Sequence, residues 1–264
     1  MLEQELQAAK RIARSTWDLI APLYDGEMAF ERKEDGAPIT AADTIANAHI
    51  VEELSRLFPA DSIITEEGEA VLNGDRTWYV DPVDGTRGFY KRNAQFAIQI
   101  GLCAEEHPVM GVVFWPATGD LYSGIIGQGA CRENSRGTRE LHTSDSDYSR
   151  LAAIIAGHKT DKPVSALLTR LGVVQYYALG SEGLRLMKIP ENRADVRVVE
   201  SRMGPSTWDL CAPHAIVEAA GGVMQCFDGP ISYRRQGRLG KYYFAARNRP
   251  LAERVLGLGA ALSR

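Results

Sequence analysis

The chain has 264 residues, 45% of them hydrophobic, with 30 Lys and Arg against 34 Asp and Glu and a formal net charge of −4. That hydrophobic content suffices for a sizeable core in one large domain or two modest ones. The acidic balance argues against a nucleic acid polymer as partner, since such polymers are held through many Lys and Arg contacts to phosphates. A small phosphorylated ligand is compatible, because a local pocket can be positive in an acidic protein.

Leu2, Leu6, Ala9, Ala13, Trp17 and Ile20 recur at helical spacing and predict a long amphipathic helix at the start. This first stretch is charged from its third residue, unlike a secretory signal, and no apolar run reaches the roughly 18 residues that span a bilayer. The four cysteines, Cys103, Cys131, Cys211 and Cys226, are scattered and form no C-x-x-C pair. These features predict a cytoplasmic protein with reduced thiols and no zinc site; peripheral association with a membrane and a homodimer are both left open. Polar Glu31–Thr40, with Gly36 and Pro38, reads as a loop or hairpin. A second helix follows with Ala46, Ile50, Leu54 and Leu57 on one face, Thr40 as N-cap, Asp43 in the first turn and Pro59 just beyond its end.

From Ser62 to about Asn134 the pattern turns to short β-rich segments: Ile63–Ile64, Trp78–Val80, Phe96–Leu102, Val109–Phe114 and Leu121–Ile126. Short connections rich in Gly, Pro, Asn and Asp predict an antiparallel meander. Phe96, Ile98, Ile100 and Leu102 alternate, as in a half-buried strand. Glu133–Ser149 is the most polar stretch and is read as a surface connection, dividing the chain into an α+β half over 1–140 and an α/β half over 141–264. In the second half, segments at Ala152–Ile155, Val164–Leu171, Val173–Ala178, Ser181–Ile189 and Val196–Val199 precede a helix from about Asp209 to Ala220, stopped by Gly221-Gly222. Strands near Val223–Phe227 and Tyr242–Ala246 and a terminal helix close the chain.

The strongest chemical signal is Trp78-Tyr-Val-Asp81-Pro-Val-Asp84-Gly-Thr86, an apolar strand running into an acid-rich turn. Pro82 cannot continue a central ladder and predicts the strand's end. Two carboxylates three residues apart can converge on one point, Gly85 lets the backbone come close to a ligand, and Thr86 adds a hydroxyl. Hard oxygen donors of this kind suit Mg2+, although an Asx-type turn capping its own N–H groups reads the same way. Glu66-Glu67 follows another apolar segment, where adjacent acids need a cation or donors nearby. Asp209 follows Trp208 at a helix start, a position suited to an N-cap and equally to a ligand.

Glu66-Glu67, Asp81-Pro-x-Asp84-Gly-Thr86, Trp208-Asp209 before Glu218-Ala-Ala-Gly-Gly222, and upstream Lys33-Glu-Asp-Gly-Ala-Pro-Ile-Thr40-Ala-Ala-Asp43 together resemble the inositol monophosphatase superfamily of metal-dependent, lithium-sensitive phosphatases. The resemblance implies a layered αβαβα sandwich of two halves with two or three Mg2+ ions between them. It implies Glu66, Asp81, the Val83 carbonyl, Asp84 and Asp209 as metal ligands, and Thr86 with Asp43, beside Glu67, as the groups that act on the attacking water. Gly85 and Thr86 N–H groups would hold the phosphate. Direct attack by water agrees with the absence of an obviously placed Cys or Ser nucleophile.

Asp84-Gly-Thr-Arg87-Gly-Phe-Tyr-Lys91-Arg92-Asn93, Gly180-Ser181-Glu-Gly-Leu-Arg185 and Gly204-Pro-Ser-Thr-Trp-Asp209 are most similar to the 3′(2′),5′-bisphosphate nucleotidases of that superfamily. In that subfamily Ser181, Arg185 and His158 would contact the substrate together with Asp209. Two features depart from the pattern: Arg185 stands where Lys is usual, and Glu182 adds a negative charge. The expected reaction is hydrolysis of 3′-phosphoadenosine 5′-phosphate to AMP and phosphate. The alternatives are an inositol phosphate, fructose bisphosphate or histidinol phosphate as substrate, and, last, a catalytically silent nucleotide- or metal-binding protein.

Overall fold

The computed structural model describes residues 2–26, 30–32, 38–145, 150–156, 161–200, 205–233 and 240–263. The amphipathic start is helix α1 (Glu3–Asp25), which buries Leu6, Ala9, Ile12, Ala13 and Ile20 on one face. Strands β1 (Phe30–Arg32) and β2 (Pro38–Thr40) pair antiparallel and lead into α2 (Ala41–Leu57). Then come β3 (Ser62–Thr65), β4 (Thr77–Asp84), the short helix α3 (Thr86–Tyr90), β5 (Ala97–Ala104), β6 (His107–Trp115), β7 (Asp120–Ile125), β8 (Gly129–Asn134) and β9 (Gly137–Leu141). They form a seven-stranded sheet in sequential order. The predicted meander holds from β4 onward, whereas β3 joins β4 in parallel.

The second sheet has the order β11-β10-β12-β14-β13. Its strands are β10 (Leu151–Ile155), β11 (Val173–Ala178), β12 (Val196–Glu200), β13 (Val223–Cys226) and β14 (Tyr242–Ala246). They alternate with α4 (Lys162–Leu171), α5 (Glu182–Met187), α6 (Thr207–Ala219) and α7 (Arg249–Leu258). Strand β10 pairs in parallel with β11 and β12, while β14 runs antiparallel to β12 and β13.

Three buried clusters define five layers. Helices α1 and α2 cover one face of the first sheet through Ile12, Ile50, Trp78 and Ile98. Helices α5 and α6 lie between the two sheets with Leu184, Leu210, Tyr79 and Tyr243. Helices α4 and α7 close the far face of the second sheet through Leu167, Phe244 and Leu251. This is the αβαβα sandwich. Helix α6 has Pro213 inside it, which costs a helix about 3 kcal/mol. Burial of Leu210, Ile216 and Val217, at roughly 1.5–3 kcal/mol each, outweighs that cost.

Several expectations need correction. Strand β5 is buried on both faces, not one. Phe96, Ile98, Ile100 and Leu102 face α1 and α2, while Ala97, Gln99, Gly101 and Cys103 face the middle layer. A Cβ on Gly101 would lie 2.6 Å from the Ala212 nitrogen, and one on Gly111 of β6 would lie 2.1 Å from the Ala212 oxygen. These glycines let α6 press onto the sheet and bury the second face. The strand at Trp78 does not stop at Pro82 but runs to Asp84, because the register shifts between Asp81 and Asp84. Pro82 falls in that bulge, where no N–H is owed to the ladder. Much of the polar stretch from Glu133 is the β8–β9 hairpin, so the link between sheets begins only after Leu141. Cys103 and Cys211, far apart in sequence, meet with their sulfurs 3.3 Å apart, both as free thiols. Among the described residues no helix is long and apolar enough to cross a membrane.

Candidate active site

The bulge in β4 turns Asp81 and Asp84 toward the middle layer. The Val83 N–H donates to Asp81 Oδ1 at 3.1 Å, which fixes the turn from within. Gly85 has φ +92°, and a Cβ there would sit 2.6 Å from the Gln95 carbonyl oxygen, so both conformation and space require glycine. Thr86 then opens α3. Its hydroxyl donates to Asp43 Oδ1 at 3.1 Å and lies 3.3 Å from the Val83 carbonyl oxygen. Asp43 is the third residue of α2 in a capping box, with Oδ2 accepting from the Thr40 N–H at 2.7 Å and the Thr40 hydroxyl at 2.6 Å. One oxygen of Asp43 thus holds the helix and the other meets Thr86.

Asp209 is not the N-cap of α6. Ser206 is, and Asp209, three residues on, accepts the Ser206 N–H with Oδ2 at 2.7 Å. Its other oxygen is left to the cluster. Asp81, Asp84 and Asp209 each offer an oxygen, and the three lie within 4.8 Å of one another. Glu66 follows β3, where its N–H donates to the Val80 carbonyl at 3.2 Å. Its charge acts on Asp81, Asp209 and Asp43. Glu67 is half-buried in the same turn. Burial, reinforced by Glu66, Asp84 and Asp209, holds Asp81 well above the usual carboxylate range. Burial, with Asp84 and Glu66, does the same for Asp209. Burial raises Asp43 as well, against the hydrogen bonds from Thr40 and Thr86. Three converging carboxylates that resist losing their protons are matched by a hard divalent cation, which takes oxygen donors and removes the repulsion. The donor set therefore fits Mg2+.

Asp84 is held from the middle layer. Its Oδ2 accepts from Gln99 Nε2 at 2.7 Å, the Ser181 hydroxyl at 2.5 Å and the Gly183 N–H at 2.6 Å, and Oδ1 from the Glu182 N–H at 2.9 Å. Burial nevertheless raises it to about 6. Ser181 is the N-cap of α5, and its oxygen also accepts the Leu184 N–H. Glu182, flagged in the sequence as an unwelcome charge, is buried and paired. Arg197 donates to it through two nitrogens, the Tyr243 hydroxyl donates to it, and Arg185 Nη1 reaches it at 2.6 Å. Burial would push this carboxyl up, but Arg197 and Arg185 hold it down at about 2. Arg185 also donates to the Leu179 and Gly180 carbonyls at 2.7 Å each. A cavity of about 410 Å3 brings Glu66, Asp84 and Asp209 together with Gly180, Glu182 and Arg185. His158, Lys33 and Gly204 lie outside the described residues.

Two residues here were not singled out in the sequence. Arg197 stands among valines in β12 and Gln99 among apolar residues in β5, and a polar side chain in an apolar strand is the signal each one carried.

The fold is a layered α/β sandwich whose carboxylates gather on the face of the first sheet that meets the middle layer. The inositol monophosphatase family model matches residues 1–258. The 3′(2′),5′-bisphosphate nucleotidase CysQ of Salmonella typhimurium is 36% identical over 236 residues, covering 87% of this chain and 92% of that protein. The structure of an inositol monophosphatase from Anabaena superposes with a TM-score of 0.76 at 25% identity, covering 99% of this chain and 96% of the other. CysQ from Bacteroides thetaiotaomicron superposes at 0.75 with 24% identity, covering 94% and 98%. The chain belongs to the inositol monophosphatase family and is a phosphoric monoester hydrolase.

Proposed function

We propose that this phosphatase hydrolyses 3′-phosphoadenosine 5′-phosphate to AMP and phosphate in an Mg2+-dependent reaction, with Glu66, Asp81, the Val83 carbonyl, Asp84 and Asp209 holding two or three ions. The observation that carries the reading is one cavity lined by Glu66, Asp84 and Asp209 together with Arg185. The acids suit a cation-bound phosphoryl group, and the guanidinium suits a second phosphate. The bisphosphate nucleotidases among the relatives support the same substrate.

Bound Mg2+ would neutralise charge on the transferring phosphoryl oxygens and ease deprotonation of water. The chain supplies the rest. Thr86 Oγ1 would accept the proton of the attacking water while passing its own to Asp43 Oδ1, 3.1 Å away. Asp43 is raised by burial, which suits it to receive that proton. Thr40 holds the other Asp43 oxygen and so keeps Oδ1 facing Thr86. Gly85 and Thr86 N–H groups would hold the phosphate, with Glu67 near the water. Arg185 is fixed on three protein acceptors, which leaves two of its five N–H groups without an acceptor among the described residues.

A second reading, a simple monoester such as inositol 1-phosphate, has one observation in its favour. The Ser181 hydroxyl and the first N–H groups of α5 turn to Asp84, not into open space. Phosphate release with and without Mg2+ from 3′-phosphoadenosine 5′-phosphate, inositol 1-phosphate, fructose 1,6-bisphosphate and histidinol phosphate decides between them. The nucleotide should be hydrolysed fastest and only with the metal; faster release from inositol 1-phosphate would overturn the choice of substrate.

A further inference from the structure

Gln99 sits in the middle of β5, opposite Asp81 in register, on the face that meets α5 and α6. Its neighbours on that face, Ala97, Gly101 and Cys103, are small. The side chain is wholly buried, and only half of its amide is used. Nε2 donates to Asp84 Oδ2 at 2.7 Å, whereas Oε1 has no hydrogen-bond partner among the described residues. A buried acceptor left without a partner is destabilising, and Met or Leu at this position would avoid that cost. The neighbouring helix also makes a concession to the amide. A Cβ on Gly183 would lie 2.8 Å from Gln99 Cδ and 2.9 Å from both amide heteroatoms, so a side chain there would have to push the Gln99 amide aside.

The result is an asymmetric carboxylate. A carboxylate oxygen has about two acceptor positions. Asp84 Oδ2 receives three donors, two from the N-terminal turn of α5 and one from β5, and is saturated; among the described residues Oδ1 receives only the Glu182 N–H at 2.9 Å and keeps room for one more partner. Ser181 and Gly183 approach from the helix and Gln99 from the sheet, so Oδ2 is fixed from two separate elements. We infer that Gln99 is a positioning residue for metal binding: it pins Oδ2 so that Asp84 presents Oδ1 alone, as a one-oxygen ligand, toward Asp81 and Asp209. This rests on the reading of Asp84 as an Mg2+ ligand. Gln99 touches neither phosphate nor metal, and its effect is on the direction in which Asp84 faces.

The test is calorimetric titration of metal-stripped wild type and Gln99→Met with MgCl2, beside thermal melting in EDTA and steady-state kinetics at saturating Mg2+. Gln99→Met should fold and melt no lower than wild type in EDTA, since it removes an unpaired acceptor and keeps the volume. Its Mg2+ dissociation constant should rise about tenfold, the usual scale for losing a group that orients a metal ligand. KM for the phosphate ester should stay within about twofold. Should the Met variant not refold, Gln99→Asn, one methylene too short to reach Asp84, carries the same comparison. Wild-type Mg2+ affinity in the folded variant, with or without a lower melting point, would overturn the inference and make Gln99 a packing residue. A wild type that binds no Mg2+ would remove the metal reading itself and this inference with it.

Discussion

Replacing Asp81 by Asn should stabilise the metal-free protein while abolishing its activity. Asp81 is buried, and its oxygen lies within 4.8 Å of those offered by Asp84 and Asp209. At an effective dielectric constant of about 20, two unit charges at that separation repel by about 3.5 kcal/mol. A neutral amide in place of the carboxylate would relieve two such pairs, but the cluster already relieves part of the repulsion by holding protons, so relief of about one pair is the realistic gain. The substitution loses little, because the hydrogen bond that Asp81 Oδ1 accepts from Val83 N–H can be kept by the amide oxygen. The new NH2 would then face carboxylates and donate to them. For a chain of this size a gain of about 3.5 kcal/mol raises Tm by roughly 10 °C. The assay is thermal melting at pH 8 in EDTA and then in excess MgCl2. Wild type should gain stability from Mg2+ and Asp81→Asn should gain little, with phosphate release reduced by at least about a hundredfold, or about 2.7 kcal/mol. A variant that melts at or below wild type in EDTA, or that Mg2+ still stabilises fully, would refute the view of Asp81, Asp84 and Asp209 as mutually repelling ligands of one cation.

Asp84 and Glu182 give the metal-free protein opposing pH dependences. Asp84, at about 6 in the folded chain against about 3.9 unfolded, binds more protons when folded, so stability falls by roughly 3 kcal/mol as pH rises from about 4 to 6. Glu182, at about 2 against about 4.3 unfolded, contributes roughly 3 kcal/mol above that unfolded value and loses it as pH falls toward 2. Urea unfolding in EDTA should therefore show greatest stability near pH 4, where the gain from Glu182 ends and the loss from Asp84 begins, and Mg2+ should move the maximum upward; a maximum that ignores Mg2+ would count against the cluster as its binding site. Arg185→Ala should lower kcat/KM for 3′-phosphoadenosine 5′-phosphate by about ten- to a hundredfold, the loss of one charge-assisted contact, and spare inositol 1-phosphate; equal losses on both would make Arg185 a support for Glu182 and the α5 turn. Li+, close to Mg2+ in size with half its charge, should inhibit turnover where Na+ at the same ionic strength does not, and coincident rate curves in LiCl and NaCl would contradict this.

What could be read from the sequence was local. The helices at Glu3–Asp25 and Ala41–Leu57 announce themselves by apolar spacing and a capping residue, and the run from Trp78 to Thr86 shows its acids directly. What could not be read depends on partners distant in sequence. Pro82 looked like a strand end because its ladder partner was unknown, and the bulge opposite β5 absorbs it. Strand β5 alternates as if half its surface were wet, because nothing in its own residues reveals that Gly101 and Gly111 admit α6. Glu182 looked like a repulsive charge because its partners Arg197 and Tyr243 lie 15 and 61 positions further on. The turn at Ser181 looked open to an anion; its occupant is Asp84, 97 positions earlier.

That last pairing bears on why the acids gather where they do. Asp81 and Asp84 belong to a strand of the first sheet, Asp209 to a helix of the middle layer, and Asp84 is gripped by another helix of that layer. The helix holding Asp84 is in turn tied to the second sheet, through Glu182 to Arg197 on β12 and Tyr243 on β14. Breaking one side of a buried ion pair leaves a charge without its counterpart and typically costs about 3–5 kcal/mol, so the α5 turn is costly to move once the sandwich has closed. A cluster of like charges needs such a frame, because repulsion drives the carboxylates apart in the absence of a cation. In this fold the restoring force comes from both sheets at once, and the residues that supply it, Gln99 on one side and the Glu182–Arg197 pair on the other, lie outside the acid motifs.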